Sequence, residues 1–384
     1  MSAFNIEECL NSLPDDIEDI DISCSKLTYL PDLSRFKKLR RLDCSDNKLN
    51  ILPDLPSTLL ILKCYNIQLS VLPDLPSTLT VLYCGGNQLS VLPDLPSTIK
   101  YLTCSINQLS LLPDLPNILT FLDCSCNKLK ELPDLPSSLI ELNCFDNQLS
   151  MLPDLPSSLI ELNCFDNQLS MLPDLPSSLI ELNCFDNQLS MLPDLPSTLL
   201  ILKCCNNQLS VLPDLPSTLT VLYCGGNQLS VLPDLPSTIK YLTCSNNQLS
   251  VLPKLPSTLT VLQCYNNQLS VLPNLPNFIR FLACENNQLS VLPDLPSTLR
   301  CIIYYHTPIY DMLKTNDTNI IRQNVCILNK FRRLYYSLKF KRQFRDWLWE
   351  RIRRPKIEMQ YHPDNLANQL VDEDTDLDAV LDKW

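Results

Sequence analysis

Cysteine recurs at positions 24, 44, 64, 84 and every twenty residues onward to 284, fourteen times in one phase. No single globular core explains such a clock. A period of 20 residues means one small structural unit copied in series, and that excludes most folds open to a 384-residue chain. Other positions keep the same time. Asn stands three residues after the cysteine (Asn47, Asn87, Asn107, onward to Asn287), with Ile67 breaking the row. Leu follows at five residues (Leu49, Leu69, Leu89).

The unit reads L-x-x-L-x-C-x-x-N-x-L-x-x-L-P-D-L-P-x-x. Leu82 and Cys84 alternate with Tyr83 and Gly85, the period of two expected of a short strand with one face inward. Leu89, Leu92 and Leu95 are expected to return into the interior. Pro73 and Pro76 exclude a helix on the return side and favour an extended, polyproline-like path. One such coil cannot bury its own leucines. Stacked coils share a continuous core and a parallel sheet with a strand spacing of about 4.8 Å.

This pattern resembles the leucine-rich repeat, with Cys in place of the third Leu. The fold expected is a leucine-rich repeat solenoid: a parallel β-sheet on the concave face, an extended convex side and a helical C-terminal segment. The expected organisation is an N-terminal cap over 1–21 and about fourteen repeats over 22–310, the last degenerate. A basic helical segment over 311–356 and an acidic tail over 357–384 follow. The short proline-rich unit is similar to that of YopM and IpaH-type bacterial effectors. The basic-aromatic stretch and YHPDNL tail resemble the ending of many proteins of mimivirus-type giant viruses. His362-Pro363-Asp364 also resembles the J-domain signature, but Pro355 interrupts the helix that should precede it and too little sequence follows.

Charge divides the chain. The net value is −12, yet residues 320–356 carry +10, twelve Lys and Arg against Asp346 and Glu350. The acidic remainder disfavours nucleic acid and anionic membrane, leaving residues 319–354 as a secondary route to membrane or RNA. That segment has helical apolar spacing (Ile321, Val325, Leu328, Phe331, Leu334, Leu338) and is expected to end at Pro355. It reads as a cap on the last coil or as a partner-binding helix. No targeting segment and no span of about 18 apolar residues is found, so a reducing, cytoplasmic setting is expected (host cytoplasm on the viral reading), with cysteines as thiols.

No catalytic signature is present. All four glycines lie in duplicated strands, and there are two histidines. The ladder cysteines read as packing residues, since zinc needs converging ligands and these all point one way. The Asp54, Asp74, Asp94 row reads as turn chemistry rather than a calcium ladder, because Lys254 and Asn274 replace the acid freely. The resemblance to IpaH-type effectors raises a ubiquitin-ligase reading with a C-x-D motif. Cys44–Asp46 and Cys144–Asp146 match it only through the repeat, and no segment outside the repeats is long enough for such a domain.

What remains is a binding surface with no enzyme, cofactor or metal. Outward strand positions expected to form it are Tyr83, Tyr101, Phe121, Glu141, Phe145, Glu161, Phe165, Glu181, Phe185, Tyr223, Tyr241 and Tyr265. Residues 133–192 are the same twenty-mer three times over, so Phe145, Phe165 and Phe185 should stack beside Glu141, Glu161 and Glu181. Exposed aromatics with few charges favour a protein partner, host or viral. The alternative is a virion assembly spacer, in which rod length matters and the face does not.

Overall fold

The computed structural model describes residues 5–360 and residue 362. The first unit, up to Thr318, is built on one parallel sheet of 15 strands in sequence order. Each strand is three residues long: Asp19–Asp21, Arg41–Asp43, Ile61–Lys63 and so on every twenty residues to Cys301–Ile303. Neighbours pair with an offset of one repeat, so Leu62 sits beside Leu82 and Leu82 beside Leu102. The first offset is longer, with Ile20 beside Leu42, because LPDLSRFKKLRR adds two residues to that return. Residues 19–21, inside the segment expected as a cap, thus open the sheet. Before them, Ile6–Ser12 form α1, whose N-terminal amides of Glu7 and Glu8 donate to Asn5 Oδ1 and which buries Ile6 and Leu10.

The core is a stack of identical layers. Leu142, Cys144, Leu149 and Leu159 are fully buried, as are their equivalents in the neighbouring coils. The leucine of PDLP departs from the expected inward position. It is half-buried along most of the rod and buried only at Leu255, Leu275 and Leu295. No repeat contains a helix, as Pro at both ends of PDLP requires. The end of the stack is closed chemically: Tyr304 takes the place of the ladder cysteine, is 1 % exposed, and its hydroxyl donates to Thr315 O at 2.7 Å. Thr307 caps α2 (Pro308–Leu313).

Asparagine ties each coil to its neighbours. Asn167 Nδ2 donates to Cys144 O at 3.0 Å and to Phe165 O at 3.2 Å, and Oδ1 accepts from Leu149 N at 3.0 Å. Geometry explains the residue before it as well. That position is left-handed throughout, for example Asp146 (φ 53°), Asn206 (φ 52°) and Gly226 (φ 66°). Asp, Asn and Gly tolerate this; a β-branched residue does not. Ile106 is held there at φ 54° and is 61 % exposed, so it packs little in return. The copy seven repeats on has Asn246 at φ 53°. Ile106→Asn is therefore expected to stabilise the protein by about 1 kcal/mol, read as a higher urea midpoint at unchanged m-value.

The second unit begins at Asn319, and its described residues up to 360 are helical. Helix α3 spans Thr318–Leu348, a π-helical turn follows over Trp349–Arg353, and α4 runs Arg354–Gln360. Pro355 does not end the helix as its sequence suggests. Arg354 N already donates five residues back, to Trp349 O, so the hydrogen-bond ladder has slipped and Pro355 falls in the first turn of a new segment. Most apolar side chains from Ile327 to Met359, including Phe331, Tyr335, Leu338 and Trp347, are exposed, while Leu328 and Leu348 are half-buried. The acidic tail and the YHPDN signature lie outside the described residues, apart from residues 357–360 and His362.

Candidate protein-binding face

The outward side of the sheet carries three parallel rows, because each strand presents its first and third residues, and the residue after the ladder cysteine extends the pattern. Strand register assembles them. The first row runs Tyr101, Phe121, Glu141, Glu161, Glu181, Ile201. The middle row runs Tyr83, Thr103, Asp123, Asn143, Asn163, Asn183, Lys203, Tyr223. The third contains Phe145, Phe165 and Phe185, linked by bonds such as Asp146 N to Phe165 O.

Where three identical repeats meet, the rows become a stripe. The rings of Phe145 and Phe165 stack at 4.4 Å and 7°, and those of Phe165 and Phe185 at 4.5 Å and 9°. Across the asparagine row stand the three glutamates. Glu141 accepts from Asn143 Nδ2 at 2.9 Å, and Glu181 pairs with Lys203 Nζ at 2.7 Å. Partial burial, and then the charges of Glu141 and Glu181, raise the pKa of Glu161 above its ordinary 4.5. The Oδ1 atoms of Asn163 and Asn183 are buried and accept no hydrogen bond from the described residues. Tyr101 and Phe121 continue the first row and stack at 5.8 Å.

The other expected residues do not join this stripe. Tyr83 lies in the middle row, its ring under Lys63 Nζ at 5.8 Å. Tyr223, Tyr241 and Tyr265 fall in the middle, first and third rows of successive coils, so they are dispersed. Two features escaped the sequence reading. One is the pair of unpartnered asparagine oxygens. The other is an exposed aliphatic row away from the sheet (Ile51, Val71, Val91, Leu111, Met151, Met171), one side chain per coil before each buried leucine and interrupted at Glu131.

The ladder cysteines lie beneath this face, and only Cys205, next to Phe185 in the third row, reaches it. The thirteen from Cys44 to Cys284 are buried in the ladder, and burial pushes Cys84, Cys164 and Cys244 up to about 12. Among the described residues no group of three or more His, Cys, Asp or Glu is placed to hold a metal. No helix there is long and apolar enough to cross a membrane.

No protein-family model and no curated protein matches the sequence significantly. Solved structures do. YopM from Yersinia enterocolitica WA-314 is similar at 40% identity and a TM-score of 0.75, over 77% of this chain and 66% of that one. The chain thus spans just under two thirds of that relative. YopM from Yersinia pestis, a leucine-rich effector protein, is similar at 38% identity and a TM-score of 0.70, over 76% of this chain and 84% of that one. The functional domain of InlJ from Listeria monocytogenes, which includes a cysteine ladder, is similar at 25% identity and a TM-score of 0.57, over 71% and 68%. Coil length, parallel register and these likenesses agree: the chain belongs to the leucine-rich repeat proteins, with coils of the short type found in YopM.

Proposed function

We propose that this protein is a non-enzymatic scaffold that engages a protein partner through its sheet face. The observation that carries this is the Phe145–Phe165–Phe185 stack, half-buried on the outward side of the sheet beside three glutamates. Aromatic side chains on a surface are enriched in interface cores. Similarity to effectors that share the fold supports a binding role, and the tail resemblance to giant-virus proteins supports a host or viral partner met in the cytoplasm. The helical segment from residue 319 is a second contact in this reading.

Capture from a cell lysate tests it. The Phe145/Phe165/Phe185→Ser variant is expected to retain its circular dichroism spectrum and lose the partner held by the wild type. A partner lost only on truncation after Tyr310 would move the function to the helix. The rival spacer reading draws on the three identical repeats over 133–192. It predicts that the triple variant behaves as wild type while deletion of whole repeats does not.

A further inference from the structure

The sheet face already shows twice how it holds a cation. Lys63 Nζ sits 3.5 Å from Asp43 Oδ2 on the preceding coil and 5.8 Å from the Tyr83 ring on the next. Lys203 Nζ sits 2.7 Å from Glu181 Oε1. In both, an ammonium reaches a carboxylate on the preceding coil, along the middle row in the first and across to the first row in the second, and in the first it also covers an aromatic face. Between these two sites the same chemistry is laid out without an internal cation: Glu141 and Glu161 on one side, Phe145 and Phe165 on the other, asparagines between.

Asn183 is 8 % exposed and its Oδ1 has no donor among the described residues; Asn163 Oδ1 is in the same state. These oxygens are enclosed by the protein, so an incoming side chain does not reach them, and the glutamates and the rings select the donor. Lys ammonium and Arg guanidinium are the cationic side chains that only donate, and both favour carboxylates and aromatic faces.

Spacing decides the shape of the donor. Successive strands, and so successive glutamates, lie about 4.8 Å apart. A helix laid across the strands offers side chains at i, i+3 and i+4, rising about 4.5–6 Å. An extended segment offers same-face residues about 6.7 Å apart and falls out of step by the third coil. Resting on the reading of the sheet face as the working surface, we propose that the stripe from Glu141 to Phe185 receives a basic helix of a separate partner protein, with Arg or Lys side chains spaced one turn apart.

The test uses the full chain and two alanine-based helical peptides of identical composition. One carries arginines along one face at i, i+4 and i+7, the other distributes them around the helix. Fluorescence anisotropy is expected to give at least ~10-fold tighter binding of the one-faced peptide. Glu141/Glu161/Glu181→Gln should remove that preference. Asp154/Asp174/Asp194→Asn, an equal charge change at exposed PDLP positions, should preserve it. Urea midpoints of both variants establish that each is folded. Equal loss in both variants, or no preference between peptides, overturns the proposal in favour of diffuse electrostatics. Sedimentation of the protein alone is the remaining arm: self-association abolished by the Gln variant would make the occupant a second copy and overturn a separate partner. If the Phe variant loses its lysate partner while neither peptide is distinguished, the sheet face stands as the surface and the basic helix falls.

Discussion

Replacing Asn167 by alanine is expected to lower the unfolding free energy by about 3 kcal/mol, a large effect for one uncharged side chain. Its amide donates to Cys144 O, Cys164 O and Phe165 O at 3.0, 3.3 and 3.2 Å. Its Oδ1 accepts from Leu149 N at 3.0 Å. Alanine leaves that N–H buried with no acceptor and strips three carbonyls of a shared donor, while neighbouring coils prevent water from replacing it. Net hydrogen bonds are worth about 1 kcal/mol each, and an orphaned buried amide costs about 1–3 kcal/mol. Gln168, adjacent and exposed, supplies the control: Gln168→Ala should stay within about 0.5 kcal/mol. Urea unfolding of the pair gives the comparison. A loss below 1 kcal/mol for Asn167→Ala would mean that the ladder is incidental to stability.

The second large effect concerns the thiols. Cys84, Cys164 and Cys244 are pushed from 9.0 to about 12 by burial. A rise of three units cuts the thiolate population at pH 8 by about 1000-fold, and the thiolate is the reacting species. Full burial slows modification further. Iodoacetamide followed by peptide mass spectrometry is therefore expected to find native modification confined to Cys9, Cys24, Cys126, Cys205, Cys301 and Cys326, led by the exposed Cys24 and Cys301. Cys126 should lag, since burial and the neighbouring Asp146 raise it to about 11. In urea all 19 should react. Rapid native modification at Cys144 would contradict the packing role and restore weight to a ligase-type cysteine beside Asp146.

Much of this architecture is legible in the chain because the physics repeats. A coil that cannot bury Leu142 and Cys144 alone must stack, and stacking forces parallel register and turns every repeated letter into a row. Phe145, Phe165 and Phe185 could be placed on one another for that reason alone. Other features depend on local geometry that letters do not carry. The residue before each asparagine is left-handed, mostly Asp, Asn or Gly but also Cys126 and Ile106, and the mixture of letters does not reveal the φ of 54° that strains Ile106. Pro355 ordinarily ends a helix, and only the π-helical slip over Trp349–Arg353 lets the chain continue. The unpartnered oxygens of Asn163 and Asn183 follow from which side chains fail to meet, which no periodicity predicts.

The most direct test of the sheet face as the working surface is site-specific photo-crosslinking. The photoreactive analogue p-benzoylphenylalanine is placed, in separate proteins, at Phe165 on the sheet, at Met171 on the aliphatic row and at Phe331 on α3. Irradiation in lysate is expected to give a partner adduct from position 165 and none from position 171, with any adduct at 331 marking a second contact. Adducts from 171 or 331 with none from 165 would contradict the account.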